Sequence, residues 1–299
     1  MKELHSHDEI FDHLQEANHL EKVVFQGVSL TSVEDQLRGV SVLESIFLGC
    51  EMSPKFAMAV QESGGVIFPH LEDRPYHAFR PYLYTPEELF AGFDRNDPCS
   101  YCRTPDAMIH LHWEATGRAS PRHVFEGILR RAHDQSVTDA LTEFLEATDR
   151  KVIAIMGGHS MSRTTTRYRE VAQISRTLTQ AGYLLVSGGG PGAMEATHLG
   201  AWFAERPNEE MDEALTILAR APSYQDFEWL ASAFEVRERF PQTSDACVSV
   251  GIPTWLYGHE PPTPFATHIA KYFANSLREE GLITIAYHGI IFSPGSAGT

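Results

Sequence analysis

Residues 151–203 restrict the fold of this chain more than any other stretch of the sequence. Residues 152–156 form a short apolar run, partly β-branched, which is typical of a strand buried on both faces. Apolar side chains then recur every three or four positions up to Gly182, which predicts a helix with one buried face. A second apolar run at 183–186 leads into a glycine-rich segment and a further helical pattern. The order strand, helix, strand, helix predicts a βαβ unit with parallel strands.

The glycine-rich segment after the second strand is the strongest functional signal in the sequence. Gly188, Gly189 and Gly190 let the backbone turn sharply and approach a ligand without a Cβ in the way. The helix that follows presents free N–H groups and the positive end of its dipole, which favours phosphate. We therefore expect a phosphate or ribose site here; the alternative is a tight turn that binds nothing.

The same segment fits the dinucleotide fingerprint when it is written as Gly188-x-Gly190-x-x-Ala193. Two features disfavour a dinucleotide. The glycines follow the second strand of the unit rather than the first, and Glu195 would bring a negative charge close to a pyrophosphate. A carboxylate at this position suits hydrogen bonds to ribose hydroxyls better, so a dinucleotide-dependent oxidoreductase is a disfavoured alternative.

A second glycine-rich segment follows the apolar residues 289–292. It consists of Pro294, Gly295, Ser296, Ala297, Gly298 and Thr299. Successive backbone N–H groups in such a segment form a nest that fits a monophosphate, and the threonine hydroxyl adds a donor. Two such loops at the carboxyl ends of parallel strands form the crevice in which open α/β sheets bind ligands. A plain turn is again the alternative.

The rest of the chain has weaker patterns. Residues 246–252 and 283–286 predict strands, and residues 205–245 predict an acidic helical insertion or a lid. Pro264 predicts the start of a helix that ends at Gly281. Residues 1–149 predict a smaller mixed α+β domain of unknown role, with helices over 8–20 and 136–147 and no evident repeat. A polar joint at 148–150 marks the expected domain boundary.

Composition excludes several classes of partner. The chain has 24 Lys and Arg against 40 Asp and Glu, a net charge of −16, which repels nucleic-acid polymers and anionic lipid. No apolar run approaches the roughly 18 residues that span a bilayer.

The cysteine content favours a reducing compartment, because four cysteines in 299 residues do not form a disulfide framework. We therefore expect a cytoplasmic protein without a membrane partner.

Three further patterns are weak candidates for a site. Cys99 and Cys102, followed by His110 and His112, are zinc-type residues at spacings that do not fit the usual fingers, so we expect no metal. The pair at 259–260 predicts either a loop near the site or a solvated turn. Ser160 and Arg163 follow the first strand, and we expect them to contact a ligand; the alternative for Ser160 is to cap the next helix.

The two glycine-rich segments resemble motifs of a known family. Residues 186–196, VSGGGPGAMEA, are similar to the GGGxxGxMEA motif of Lonely Guy-type proteins, once described as lysine-decarboxylase-like. PGSAGT at 294–299 is similar to the start of their PGGxGTxxE motif, and GGHS at 157–160 resembles their first-strand loop. The resemblance implies a Rossmann-like parallel sheet flanked by helices over 150–299, usually dimeric. It also implies hydrolysis of nucleoside 5′-monophosphates to free base and ribose 5-phosphate, without a cofactor. The larger bacterial nucleotide nucleosidases add an N-terminal domain.

The resemblance assigns roles residue by residue. The positions that match the two motifs are Gly188, Gly189, Gly190, Gly192, Met194 and Glu195, then Pro294, Gly295, Gly298 and Thr299, with Ser296 in place of a glycine. It implies phosphate at 295–299, with Ala297 in that loop, and ribose near Glu195. Arg278 matches the family's arginine by position, and its planar fork suits a phosphate or ribosyl oxygen. A surface ion pair with a neighbouring glutamate is the alternative for Arg278.

One position of the motif lies beyond the sequence. The family's catalytic glutamate lies three residues after the threonine of GTxxE, and position 299 is that threonine. Hydrolysis through an oxocarbenium-like state needs a carboxylate. We therefore expect a longer enzyme, of which these 299 residues are an inactive part. A non-catalytic nucleotide sensor is the second hypothesis.

Overall fold

A computed structural model describes residues 1–71, 73–242, 244–257 and 260–295. The chain divides into two compact units. One consists of Met1–Tyr82 with Ile128–Ala140, and the other of Leu83–Gly127 with Leu141–Thr299. Residues 149 and 150, where the sequence predicts a domain boundary, lie within the second unit. None of the helices in the described ranges is both long enough and apolar enough to cross a membrane.

The first unit contains a four-stranded sheet in which the strands follow one another in chain order, all parallel. Its strands are β1 (Lys2–Leu4), β2 (Val23–Gln26), β3 (Ile46–Leu48) and β4 (Val66–Phe68), and its first helices are α1 (His7–Ala17), α2 (Glu34–Leu37) and α3 (Pro54–Glu62). Phe25 and Phe47 stack in its core with ring centroids 4.3 Å apart. The strands recur at nearly equal intervals, a regularity that the sequence analysis did not detect. The helix predicted over 8–20 is confirmed as α1.

The second unit contains a five-stranded parallel sheet that carries the predicted βαβ unit. Its strands are β5 (Val152–Met156), β6 (Leu184–Ser187), β7 (Ser249–Gly251), β8 (His268–Ile269) and β9 (Ile290–Phe292), in the spatial order β8-β7-β6-β5-β9. From β5 the chain builds the sheet in one direction as far as β8. It then returns to the opposite side of β5 to form β9. The strand order therefore reverses between β5 and β9, which is where open α/β sheets bind ligands.

Eight helices assigned in the described residues complete the architecture. They are α4 (Pro86–Leu89), α5 (Pro105–Ala115), α6 (Val124–Ala147), α7 (Thr166–Gln180), α8 (Ala193–Trp202), α9 (Asn208–Leu218), α10 (Trp229–Arg239) and α11 (Asn275–Ile285). The middle of α6 belongs to the first unit. Helices α7 and α8 pack closely because Gly200 lacks a side chain, and a Cβ there would overlap the Ala172 carbonyl oxygen. Parallel sheets flanked by helices confirm the predicted α/β, Rossmann-like class.

The prediction for residues 263–286 is wrong. No helix begins at Pro264. Instead His268 and Ile269 form strand β8 against β7, and α11 begins only at Asn275 and continues past Gly281 to Ile285. The predicted strand at 283–286 is therefore helical up to Ile285. Apolar residues that recur every four positions from Phe265 predicted a helix. The segment is buried on both sides, so it has no polar face that would distinguish the pattern of a strand from that of a helix.

Candidate functional site

A cavity of about 200 Å³ opens at the carboxyl edge of the five-stranded sheet. A water molecule takes about 30 Å³, so the cavity has room for a sugar-sized ligand. The residues that line it come from the end of β5, the loops after β5, β6 and β7, the start of α8, and α11. They are Met156, Gly157, Gly158, His159, Gly188, Met194, Tyr257, Glu260, Arg278, Glu279 and Leu282.

The loops after β5 and β6 are locked together at Gly192. This residue has φ +70°, and a Cβ there would lie 2.5 Å from the Gly158 carbonyl oxygen and 2.7 Å from that of His159. The Ala193 N–H, the first of α8, donates to the Gly158 oxygen at 3.2 Å. A glycine is required here because no L side chain fits both the conformation and the space.

The structure divides the predicted glycine loop into two groups. Gly188 and Met194 line the cavity, whereas Gly189, Gly190 and Gly192 are buried and do not line it. The Gly189 carbonyl oxygen accepts a hydrogen bond from the Thr263 N–H at 2.8 Å. Within the loop, therefore, Gly188 borders the cavity, whereas Gly189 and Gly192 contact other backbone.

A buried histidine supports the glycine loop from behind. His198 Nε2 lies 2.7 Å from Ser187 Oγ, and its Nδ1 lies 2.8 Å from Ser249 Oγ. Ser187 Oγ also accepts the Gly189 N–H at 3.1 Å. Burial lowers the pKa of His198 to about 3, so the ring is neutral at physiological pH. This chain of hydrogen bonds connects β6, α8 and β7 beneath the loop.

Glu195, which the sequence predicts as a ribose ligand, does not line the cavity. Its side chain is 0% exposed, and its two carboxylate oxygens accept from Arg163 Nε at 2.8 Å and Nη2 at 2.5 Å. The Tyr168 hydroxyl donates to it as well, at 2.8 Å. Burial, and then the Glu195 charge, raise the pKa of Tyr168 well above its usual value, so the hydroxyl remains a donor.

Arg163 extends this buried cluster to the helical insertion. Its Nη1 donates to the carbonyl oxygens of Ala221 and Trp229 and to Ser232 Oγ, and its guanidinium carbon lies 4.7 Å from the Trp229 ring centroid. The Arg163 side chain is only 1% exposed. The Glu195–Arg163 pair therefore connects the start of α8 to α10 rather than facing a ligand.

Arg278, which matches the family's arginine by position, lines the cavity. Its side chain is 18% exposed, its Nη2 lies 3.3 Å from Glu279 Oε1, and its guanidinium carbon lies 5.2 Å from the Tyr257 ring centroid. Its Nε is enclosed and donates to no acceptor in the described part of the chain. The arginine thus forms the ion pair that was the alternative to ligand binding, and it still has a buried donor that a phosphate or ribosyl oxygen could satisfy.

The second glycine-rich loop is described only at its start. Ser293, the first residue after β9, donates its N–H to the Met156 oxygen at 2.8 Å, and Pro294 and Gly295 are exposed. Both glycine-rich segments follow strands that flank β5 in parallel, so both begin at the same edge of the sheet. Ser296, Ala297, Gly298 and Thr299 lie outside the described residues. The phosphate nest therefore stays a prediction.

Ser160 is exposed and does not line the cavity. The predicted capping role for it is wrong, because Thr165 caps α7 by accepting the Tyr168 N–H. The Cys99 and Cys102 thiols are free and exposed, and His112 Nε2 lies 3.1 Å from Glu126 Oε1.

Sequence reasoning missed Tyr257 as a residue of the cavity and considered Glu279 only as an ion-pair partner of Arg278. His159 lies in the 157–160 motif but was given no role, and Glu260 was one of two residues in a segment that the sequence left ambiguous. These residues follow different strands or lie on α11, and only the fold brings them together.

Comparison of the sequence with family models and with curated proteins finds no match. The Lonely Guy resemblance therefore rests on the short motifs at 157–160, 186–196 and 294–299. The geometry around those motifs is the remaining basis for a functional argument.

Proposed function

We propose that the protein is a member of the Lonely Guy-type family and a nucleoside 5′-monophosphate phosphoribohydrolase. In this reaction water cleaves the N-glycosidic bond and releases free base and ribose 5-phosphate. The observation that carries the proposal is the cavity at the reversal of strand order, which Gly188, Met194 and Arg278 line together. We further propose a cytoplasmic homo-oligomer, on the basis of the resemblance and of four free cysteines.

The cavity suits a sugar phosphate for three reasons. It lies where open α/β sheets bind nucleotides. Backbone from two glycine loops lines part of it, so a ligand can approach main-chain atoms closely. Arg278 supplies a fixed positive charge with an enclosed Nε donor, on a molecule whose overall charge of −16 would otherwise repel a phosphate.

The proposal is tested with the full-length protein and the four common ribonucleoside 5′-monophosphates. Ribose 5-phosphate and free base are measured by mass spectrometry, and nucleotide binding by calorimetry. We expect stoichiometric release of both products from at least one nucleotide. Binding without products from any nucleotide would overturn the enzyme and favour a nucleotide sensor. Absence of binding would overturn the nucleotide site itself.

Arg278 gives the matched mutational test. Arg278→Ala should lower kcat/KM by roughly 10–100-fold, because a hydrogen bond to a charged group contributes about 1.5–3 kcal/mol. Arg278→Lys keeps the charge but loses the fork and should recover only part of this loss. The control is Arg167→Ala, at an exposed position of α7 that does not line the cavity, with unchanged kinetics expected. Equal effects at Arg278 and Arg167 would remove Arg278 from the site.

A further inference from the structure

Two cysteines in the second unit have no role in the proposed function. They lie on a short 3₁₀ helix, Pro98–Arg103, which carries Cys99 and Cys102 as free and exposed thiols. In a 3₁₀ helix three residues make one turn, so the side chains of residues i and i+3 eclipse each other. The two cysteine side chains therefore leave the helix in the same direction, one turn apart, on a side that solvent reaches.

The spacing of the two cysteines suits a disulfide bond. At a rise of about 2.0 Å per residue, the Cα atoms of residues one turn apart are about 6 Å from each other. Disulfides join cysteines whose Cα atoms are roughly 4.4–6.8 Å apart. A bond between Cys99 and Cys102 therefore requires rotation of the two side chains and little movement of the backbone.

The residues between the two cysteines hold the helix in place. Ser100 is buried, and its Oγ accepts the Asp94 N–H at 2.8 Å. The Tyr101 hydroxyl donates to Asp106 Oδ2 at 2.9 Å, and the Tyr101 carbonyl oxygen accepts the Thr104 N–H at 3.0 Å. Because these contacts fix the backbone, each thiol is kept close to the other instead of being free to move away.

A metal site is the other interpretation of two neighbouring thiols, and the surroundings disfavour it. A structural zinc ion takes four ligands. Within the described part of the chain, no third His, Cys, Asp or Glu side chain lies close enough to form a ligand group with the two sulfurs. His110 and His112 contact other groups, the Trp255 carbonyl oxygen and the Glu126 carboxylate. The pair is therefore better suited to chemistry between its own two sulfurs.

We propose that Cys99 and Cys102 form a dithiol site that is oxidised reversibly by small disulfides of the glutathione type. The thiolate of one cysteine attacks a sulfur of the external disulfide, which forms a mixed disulfide and releases one small thiol. The other cysteine attacks the mixed disulfide, closes the Cys99–Cys102 bond and releases the second small thiol. The protein loses two electrons and two protons, and the external disulfide gains them. This site is independent of the proposed nucleotide hydrolysis.

The experiment treats the folded full-length protein with glutathione disulfide at about 0.1 mM, below the mM effective concentration of a tethered neighbouring thiol. Free thiols are then alkylated in denaturant. Trypsin releases both cysteines in one peptide, residues 96–103, because Arg95 and Arg103 flank them. We expect this peptide without alkyl groups and two hydrogen atoms lighter than its reduced form. The buried Cys50 and Cys247 should be alkylated, and dithiothreitol should restore alkylation at 96–103.

Single variants test whether the second thiol resolves the mixed disulfide. Cys99→Ser and Cys102→Ser each keep one thiol of the pair, so the glutathione adduct on that thiol has no neighbour to displace it. By intact mass, each single variant should carry at least about tenfold more glutathione adduct than the wild type under the same conditions. Tryptophan fluorescence melts verify that both variants are folded.

A matched variant tests the spacing. Cys102→Ser combined with Arg103→Cys keeps two thiols at exposed positions, but moves the second about 120° around the helix and about 8 Å from Cys99 along its axis. Cysteines whose Cα atoms are more than about 7 Å apart cannot be joined without backbone movement. This variant should therefore accumulate the glutathione adduct as the single variants do.

Each outcome supports or overturns the dithiol site. A disulfide in the wild-type peptide, with adducts confined to the variants, supports it. Three results overturn it: no oxidation of residues 96–103, adducts on the wild type equal to those on the single variants, or closure in the shifted variant as complete as in the wild type. Tight binding of zinc alone, with loss of the reaction toward glutathione disulfide, would overturn it in favour of a metal site. Release of ribose 5-phosphate is measured separately, so failure of either proposal leaves the other standing.

Discussion

The buried pair of Glu195 and Arg163 gives the sharpest test of what the glycine-loop motif does. The sequence predicts that Glu195 holds ribose, whereas the structure encloses its carboxylate between Arg163 and Tyr168. Replacing Glu195 by Gln leaves the Arg163 guanidinium, 1% exposed, without a compensating charge. We expect this substitution to act mainly on stability.

The expected size follows from burial. Removing one member of a buried ion pair costs about 3–5 kcal/mol, because the remaining charge stays desolvated. Replacing both Glu195 and Arg163 by Met removes both charges, and the double variant should recover most of that loss. Glu195→Met and Arg163→Met complete the double-mutant cycle. Because the double variant should cost less than either single variant, the coupling energy should exceed about 3 kcal/mol.

Urea denaturation followed by tryptophan fluorescence measures these changes in the second unit alone. All four tryptophans, Trp113, Trp202, Trp229 and Trp255, lie in that unit, and Trp229 contacts the Arg163 guanidinium. With a slope of about 2 kcal/mol/M, Glu195→Gln should lower the midpoint by about 2 M.

Two results would refute this reasoning. One is a decrease of less than about 1 kcal/mol in the free energy of unfolding of Glu195→Gln. The other is a decrease in the double variant that equals the sum of the decreases in the two single variants. Either would mean that the carboxylate is not desolvated by its neighbours. The role in ribose binding that the sequence predicts would then become the better account of Glu195.

Two further predictions concern the support of the glycine loop. The folded-state pKa of His198 is depressed to about 3, so its stabilising contribution is present above the unfolded pKa near 6.5 and is lost as pH falls. Between pH 7 and pH 5 the wild type should lose about 2 kcal/mol more than His198→Gln in urea denaturation, and parallel pH curves would contradict this. Gly192→Ala should cost more than about 2 kcal/mol, because its Cβ meets the Gly158 oxygen at 2.5 Å. Gly182→Ala, with φ +87° and open space around it, should cost only about 1 kcal/mol, and equal thermal shifts for the two would count against the clash.

Local patterns predicted the βαβ unit because each of its features is contained in one short segment of the sequence. These features are the apolar runs at β5 and β6, the spacing of apolar residues in α7 and the glycines after β6. The same reasoning failed at β8, because the segment is buried on both sides and pairs with β7 and with Tyr84 far away in the chain. There, burial by distant segments overrode a local pattern typical of a helix.

The candidate site was predictable only in part, for a similar reason. Gly188, Met194 and Arg278 were found through motifs and position. Glu260 and His159 meet only because the ends of β5 and β7 lie at one edge of the sheet. The partner of Glu195 could not be inferred either: Arg163 lies in a loop, and no spacing rule connects a loop arginine to the first turn of a later helix.

The position of β5 in the sheet sets the order in which the second unit can assemble. Its partner on one side, β6, follows shortly after it in the chain, but its partner on the other side begins only at Ile290. During synthesis, one edge of β5 stays unpaired until the residues between β5 and β9 have left the ribosome. Closing so long a loop costs conformational entropy and is therefore slow. The part of the sheet edge between β5 and β9 can therefore form only after β9 has been synthesised. Until then, this edge of β5 offers unpaired backbone groups to which another chain or a chaperone can bind.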